Sequence, residues 1–183
     1  MWAVENNNPG REKDGNVRLM NAPERTANYR IGFVATRLSG TDGVSLETEK
    51  WAEVLERMGH TCYYFSGLSD RAPEISRLVP EAYFRHPEVD EWHQLAFQTP
   101  IRPRRMSDRF YELKEHIKDE LYGFAKDFGV DLLIAENVLT IPLHIPLGWA
   151  LSEFIAETGL PTIAHHHDFF WERKRFLGNC VAD

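Results

Sequence analysis

The strongest constraint on the fold is the alternation of short apolar segments with longer segments of helical periodicity. Four short, largely apolar runs, at 31–36, 61–65, 131–135 and 161–164, have the pattern of strands buried on both faces of a sheet. Between them, apolar residues recur at helical spacing, and a glycine often follows the last of them. Strands that alternate with helices form a doubly wound sheet, so the sequence predicts an α/β, Rossmann-like fold with a mainly parallel sheet.

Three parts of the chain differ in organisation. Residues 1–28 have neither periodicity nor enough apolar side chains to offset the entropy of ordering, which predicts a disordered tail. Residues 29–183 form the predicted domain. Within it, prolines punctuate residues 68–106, which favours an irregular insertion of loops and short helices at the sheet edge.

The sequence predicts the first turn and the core face of the first helix, and the N-cap of the long helix that follows the insertion. The first should begin with Glu47 and Glu49 in its first turn, where the helix dipole favours carboxylates. Its core face should consist of apolar residues at spacings i, i+3, i+4 and i+7. Ser107 should cap the long helix that follows the insertion. The four apolar positions of the first helix are Trp51, Val54, Leu55 and Met58.

Composition limits the function. The chain has 183 residues with 21 Lys and Arg against 28 Asp and Glu, a net charge of −7, which disfavours binding to nucleic acid or to an anionic membrane. No apolar stretch approaches the roughly 20 residues of a membrane span or the apolar run of a signal peptide. Its two cysteines are too few for a disulfide framework. We therefore expect a soluble cytoplasmic protein without a transmembrane segment.

In a doubly wound sheet, ligands bind beyond the carboxyl ends of the strands, so the residues after each strand are the candidates for function. After the first strand, a glycine-bearing turn leads into a helix at Gly43, Val44 and Ser45, where backbone N–H groups suit a phosphate. An ordinary tight turn explains the same residues equally well. After the third strand, Glu136 and Asn137 could hold sugar hydroxyls or could be solvated loop residues.

The fourth strand ends in His165, His166, His167 and Asp168. Because side chains alternate along a strand, His165 and His167 should face one way and His166 the other. Three interpretations are open: a metal site completed by His144 or His60, a packed structural turn, or a polar binding or catalytic cluster, which we favour. A serine hydrolase is disfavoured because no Gly-x-Ser-x-Gly motif is present.

Two stretches resemble family-four glycosyltransferases of the GT-B fold. Residues 31–65 show that family's order of strand, Gly-Val loop, helix and Gly-His end, with Asp42-Gly43-Val44-Ser45 as the loop. Residues 133–173, which include the string His-His-His-Asp-Phe-Phe-Trp-Glu-Arg, resemble a bacterial and archaeal branch that includes enzymes making mannosylglucosylglycerate-type solutes. The resemblance covers nearly all of residues 29–183.

The resemblance implies a role for each matched residue. It implies catalytic roles for His166, beside the transferred sugar, and for Asp168. It places the donor diphosphate at Gly43, Val44 and Ser45, although Asp42 replaces the family's first loop glycine and would repel a diphosphate unless it turns away. It implies no metal and no cofactor other than the nucleotide-diphosphate sugar donor. The sugar- and acceptor-binding residues it implies are Glu136, Asn137, His165, His167, Glu172 and Arg173.

The resemblance also implies a second domain. GT-B enzymes pair two Rossmann-like domains, and residues 29–183 match the first, acceptor-side domain, which is incomplete at its C-terminal end. The implied activity is a retaining transfer of a hexose to a hydroxyl acceptor, absent until a donor domain is supplied in cis or in trans. The alternatives are a stand-alone nucleotide- or sugar-binding module, a metal-dependent hydrolase built on residues 165–167, and an interaction protein that uses Arg102, Arg104 and Arg105.

Overall fold

The computed structural model describes residues 28–181. The predicted disordered tail, residues 1–28, lies outside the described residues except for Asn28. Four α-helices and a five-stranded sheet make up the described part, with short 3₁₀ turns between them. The strands are β1 (Arg30–Ala35), β2 (Thr61–Ser66), β3 (Ser76–Leu78), β4 (Leu132–Glu136) and β5 (Thr162–His165). The helices are α1 (Gly43–Arg57), α2 (Pro87–Gln98), α3 (Arg104–Phe128) and α4 (Ile145–Thr158).

The sheet confirms the predicted α/β, Rossmann-like fold. Its strand order is β3-β2-β1-β4-β5, and every neighbouring pair is parallel. The chain proceeds in one direction from β1 to β3 and then returns to place β4 on the other side of β1. The boundary between β1 and β4 is therefore the topological switch point, where ligands of such sheets bind.

Helices cover both faces of the sheet, and the alternation of side chains in β1 decides which residue meets which helix. Ile31 and Phe33 pack with Ala52 of α1 on one face. Val34 packs with α3 and α4 on the other, together with Phe124 and Phe154. Residues of both faces are almost completely buried, which explains why β1 reads as a continuous apolar run.

The core face of α1 differs from the prediction. Trp51 and Leu55 pack against the core, but Val54 and Met58 are exposed. The buried stripe instead consists of small residues at spacings i, i+3 and i+7, which let the helix lie close to the sheet. Because α1 begins at Gly43, its first turn contains no acidic residue, so the predicted place of Glu47 and Glu49 was also wrong. The buried residues are Ser45, Thr48 and Ala52.

The segment 68–106 contains more regular structure than the interpretation as an irregular insertion allowed. It supplies β3, which extends the sheet beyond β2, and the 12-residue helix α2. A strand of three residues is too short to show an alternating pattern of apolar and polar side chains, so β3 could not be recognised from the sequence. Pro103, rather than Ser107, precedes the first residue of α3, and Ser107 lies inside the helix. None of the helices within residues 28–181 is both long and apolar enough to cross a bilayer.

Candidate functional site

The turns after β1, β4 and β5 meet at one edge of the sheet, because these three strands are parallel neighbours. Glu136 is paired in register with His165 across β4 and β5. The backbone N–H of Asn137 continues this ladder by donating to the carbonyl of His165 at 2.9 Å. The candidate residues after the third and fourth predicted strands are therefore brought together, next to the switch point.

Two histidines face the carboxylate of Glu136. His165 Nδ1 and His167 Nε2 each lie 2.9 Å from Glu136 Oε2. The Glu136 side chain is completely buried, whereas the two histidine side chains are 22% and 23% exposed. The ring of His165 also contacts Trp51 of α1, with centroids 4.8 Å apart. The result is a buried acid with two imidazoles that remain accessible from the sheet edge.

His166 points away from this cluster, as strand alternation predicted. Its Nδ1 lies 3.1 Å from the hydroxyl oxygen of Thr140, and its ring contacts Phe169. Thr140 lines an open hollow of about 560 Å³ whose wall is formed by the loop after β4, the start of α4, and residues of α2, α3 and the segment 170–181. The aromatic side chains of Trp149 and Phe170 line the same hollow. His166 is thus linked through Thr140 to a space large enough for a small ligand.

Asn137 holds the histidine turn in position. Its side-chain oxygen accepts hydrogen bonds from the backbone N–H groups of His167 at 2.7 Å and Asp168 at 3.4 Å. Asn137 has a φ of 62°, in the left-handed region, which asparagine adopts more readily than most residues with a β-carbon. This residue therefore orders the turn rather than standing in solvent.

Asp168, Glu172 and Arg173 form hydrogen bonds with their own turn. Arg173 donates to the Asp168 carboxylate at 2.5 Å. The Glu172 carboxylate accepts from the backbone N–H of Phe169 at 2.8 Å. These contacts neutralise the charge of Asp168 and order a segment that presents Phe169 and Trp171, stacked 4.5 Å apart, on the surface.

A carboxylate already occupies the glycine loop after β1. Asp42 caps α1 by accepting from the N–H groups of Val44 and Ser45, at 3.2 and 3.3 Å, and it pairs with Arg37 at 3.1 Å. Burial raises the pKa of Asp42, but hydrogen bonds from Ser45 and the charge of Arg37 outweigh it and keep the pKa below its ordinary value. A phosphate at Gly43 would need Asp42 to move, because the two would compete for the same donors.

The other histidines considered as metal ligands have different partners. His144 is buried and caps α4: its Nδ1 accepts from the N–H of Leu147 at 3.0 Å, and its Nε2 lies 2.7 Å from the Glu81 carbonyl. Burial lowers the pKa of His144 to about 4. His60 Nδ1 accepts from the N–H of Tyr29. The groups that could share a metal ion are instead Glu136, His165 and His167, whose ligand atoms lie within 4.8 Å of one another.

Two residues that shape this region, Thr140 and Trp51, were not assigned to the site from the sequence. His144 was considered only as a metal ligand and not as the cap of α4. Only His144 carried a local signal, since it stands two residues before Pro146, where a helix cap belongs. Thr140 and Trp51 reach the histidines from other elements, so no local pattern could reveal them.

Comparison with known proteins identifies two similar sequences. The mannosylglucosylglycerate synthase of Thermotoga maritima is 30% identical over 151 residues, which cover 81% of this chain and 34% of that protein. The mannosylglucosylglycerate synthase of Petrotoga mobilis is 27% identical over 164 residues, covering 84% of this chain and 35% of that protein. The chain thus spans about a third of the length of these relatives.

No family model matches the chain, and no solved structure does. The relationship therefore rests on the two sequence matches, each of which covers more than four fifths of this chain. These matches show that the chain is a distant homologue of about a third of each of these mannosylglucosylglycerate synthases.

Proposed function

We propose that this chain is the acceptor-side part of a glycosyltransferase that moves a hexose, with retention of configuration, from a nucleotide-diphosphate sugar to a hydroxyl acceptor. The observation that carries the proposal is the convergence of Glu136, Asn137 and the turn from His165 to Asp168 at the switch point of the sheet. The homology to mannosylglucosylglycerate synthases supplies the class of reaction.

The acceptor is proposed to bind in the hollow beside His166. Trp149 and Phe170 offer aromatic faces against which the apolar faces of a sugar ring can pack, and Ser152 and Asn179 offer polar groups. His166, held by Thr140, stands at the boundary between this hollow and the sheet edge. We assign it a position beside the transferred sugar, with Asp168 and its partner Arg173 shaping the adjacent wall.

The name of the relatives suggests the class of acceptor. Mannosylglucosylglycerate joins mannose, glucose and glycerate, so a glycosylated sugar acid is a rational first probe. We propose that the other half of the reaction, recognition of the nucleotide-diphosphate donor, depends mainly on a second domain in the same or another polypeptide. The exposed aromatic side chains Phe169, Phe170 and Trp171 support this, since exposed apolar surface beside a site commonly marks an interaction surface.

Calorimetry of the 183-residue chain tests the proposal. Glucosylglycerate should bind measurably, whereas nucleotide diphosphates should bind weakly, and no nucleotide sugar should be turned over by the chain alone. Tight nucleotide binding without acceptor binding would favour a stand-alone nucleotide-binding module instead. Turnover by the chain alone would contradict the need for a second domain.

A second experiment tests the reaction itself. A polypeptide that supplies a donor domain should restore hexose transfer, detected as a mass increase of the acceptor. In that assembly His166→Ala should reduce kcat/KM by about 100-fold or more, the magnitude typical of a group acting on the reacting atoms. Thermal unfolding of wild type and His166→Ala serves as the control for general damage to the turn. Equal activity of wild type and His166→Ala would remove His166 from the reaction.

A further inference from the structure

The buried carboxylate of Glu136 has an unusual environment. Its side chain is completely buried, and in the part of the chain that the structure describes the side chains paired with it are His165 and His167. A buried negative charge is costly unless a positive group or several hydrogen bonds compensate it. Two imidazoles supply that compensation either by donating protons to the carboxylate or by sharing a cation with it.

The distances fit a shared cation. Metal ions bind histidine nitrogen at about 2.0–2.1 Å and carboxylate oxygen at about 2.0–2.2 Å, so two ligand atoms on one ion stand about 3.0 Å apart at a right angle and about 3.4 Å apart at the tetrahedral angle. Both ring nitrogens lie 2.9 Å from Glu136 Oε2. The two nitrogen–carboxylate distances are therefore within a few tenths of an ångström of those in a coordination site, and the two ring nitrogens lie within 4.8 Å of each other.

The surroundings hold these side chains in place. Strand pairing fixes Glu136 opposite His165, and the backbone N–H of His167 is anchored by the side chain of Asn137. The ring of His165 rests against Trp51. His165 ends β5 and the turn at His167 is tied to Asn137, so both imidazoles are held near the carboxylate, which favours binding because little ordering remains to be done.

We propose that Glu136, His165 and His167 form a binding site for one divalent transition-metal ion. His165 would coordinate through Nδ1 and His167 through Nε2, each in the tautomer that leaves that nitrogen unprotonated. Two histidines and one carboxylate occupy one side of the ion and leave positions open to an oxygen ligand at the sheet edge. The imidazole ligands favour Zn²⁺ or Co²⁺ over Mg²⁺.

The sequence left a metal site on residues 165–167 as an open alternative, completed by His144 or His60 and not by Glu136, whereas the family resemblance implied no metal. The alternation of side chains along the strand excludes His166 as a third ligand but keeps His165 and His167 on the same side. Among residues 28–181 these three groups form the only set of three potential ligands within 4.8 Å. The inference does not rest on the proposed glycosyl transfer, because metal binding is measured without any sugar.

Titration of the full chain, free of any histidine tag and stripped of metal by a chelator, tests the site. Co²⁺ should bind with a stoichiometry of one ion per chain and produce the visible absorption bands of a histidine-bound ion, and Zn²⁺ should displace it. Mg²⁺ at the same concentration should have no effect. The absence of stoichiometric Co²⁺ and Zn²⁺ binding would overturn the proposal.

Variants assign the ligands. His165→Ala, His167→Ala and Glu136→Gln should each weaken Co²⁺ binding by at least about tenfold. The matched control is His166→Ala, which removes the histidine between the two ligands and should change the affinity less than about twofold. Equal loss in His166→Ala, or full binding in His165→Ala and His167→Ala, would overturn the assignment.

Thermal unfolding tests the metal site without any replacement of the buried Glu136, so it serves even if Glu136→Gln does not fold. An ion that binds only the folded chain raises Tm. Zn²⁺ should raise the Tm of wild type and of His166→Ala but not that of His167→Ala, whose side chain is partly exposed and tolerates truncation. A Tm increase of the same size in His167→Ala would show that Zn²⁺ binds elsewhere.

Discussion

The side-chain oxygen of Asn137 accepts a hydrogen bond from the backbone N–H of His167 at 2.7 Å. Asn137 follows β4 and His167 follows β5, so this bond joins two turns at the carboxyl edge of the sheet. Asn137 also has a φ of 62°, a conformation that asparagine adopts more readily than most residues with a β-carbon. Both the backbone conformation and the side-chain hydrogen bond therefore favour asparagine at this position. The position of the turn at His167 therefore depends on Asn137, which belongs to the neighbouring turn after β4.

Replacement of Asn137 should separate these two contributions. We expect Asn137→Ala to reduce the free energy of unfolding by about 2–3 kcal/mol, because it leaves the N–H of His167 without its acceptor and because alanine adopts left-handed backbone less readily than asparagine. Asn137→Gly should cost about 1 kcal/mol less, since glycine accepts that conformation freely. Urea denaturation measures both, and equal losses would mean that the backbone conformation contributes nothing.

The stability of the fold should depend on the protonation of His144. Burial lowers the pKa of this histidine in the folded chain to about 4, against 6.5 for an ordinary histidine, with neighbouring His93 and His86 adding to the effect. The unfolded chain binds the proton more readily, so this contribution is complete above about pH 6.5 and is lost as the pH falls towards 4. The loss should be on the order of 3 kcal/mol.

Denaturation curves between pH 4 and pH 8 measure this dependence, and His144→Asn isolates it. Asparagine still caps α4 but has no charge to gain, so the variant should lose less stability on acidification than wild type. Identical pH profiles for the two proteins would show that His144 does not titrate as its buried position requires.

Asp42 should control the affinity of the glycine loop for anions. Asp42→Asn retains an oxygen that can cap α1 but removes the negative charge at the N–H groups of Val44 and Ser45. We expect inorganic diphosphate to bind this variant about 5- to 10-fold more tightly than wild type if the loop is the donor-phosphate site. Calorimetry with inorganic diphosphate measures the change.

The matched control for Asp42 lies on the same helix. Glu56→Gln makes the same change of charge near the C-terminal end of α1, about 20 Å away at 1.5 Å per residue, where screening by salt removes most of its influence. Its effect on diphosphate affinity should be less than about twofold. Equal effects of the two variants would indicate a response to net charge and not a site at the loop.

Gly67 and Gly43 should respond differently to alanine. A β-carbon at Gly67 would overlap the backbone of Ala82 and Tyr83, whereas one at Gly43 would meet no atom within 4 Å. Gly67→Ala should therefore reduce the free energy of unfolding by about 3 kcal/mol or more, because the segment after β2 and the one after β3 would have to separate. Gly43→Ala should change it by about 0.5 kcal/mol at most. Chemical denaturation of both proteins tests this contrast.

Much of the fold could be predicted because the relevant patterns are local. The apolar run of β1 and the helical spacing in α3 depend only on neighbouring residues, and they led to the parallel sheet and to its carboxyl edge. The same local alternation separated His166 from His165 and His167. In contrast, β3 has only three residues between prolines and left no pattern to find.

The details of the candidate site could not be predicted in this way. Glu136 and His165 stand 29 positions apart, and only the register between β4 and β5 makes the glutamate a partner of both histidines. Likewise, whether Asp42 turns away from its loop depends on the cap it forms and on Arg37. The amino-acid sequence by itself determined the layers of the fold and the edge at which its polar residues gather, because hydrophobic periodicity is a property of adjacent residues. Only the tertiary structure decided which side chains touch at that edge, because strand register and helix packing bring distant residues within hydrogen-bonding distance.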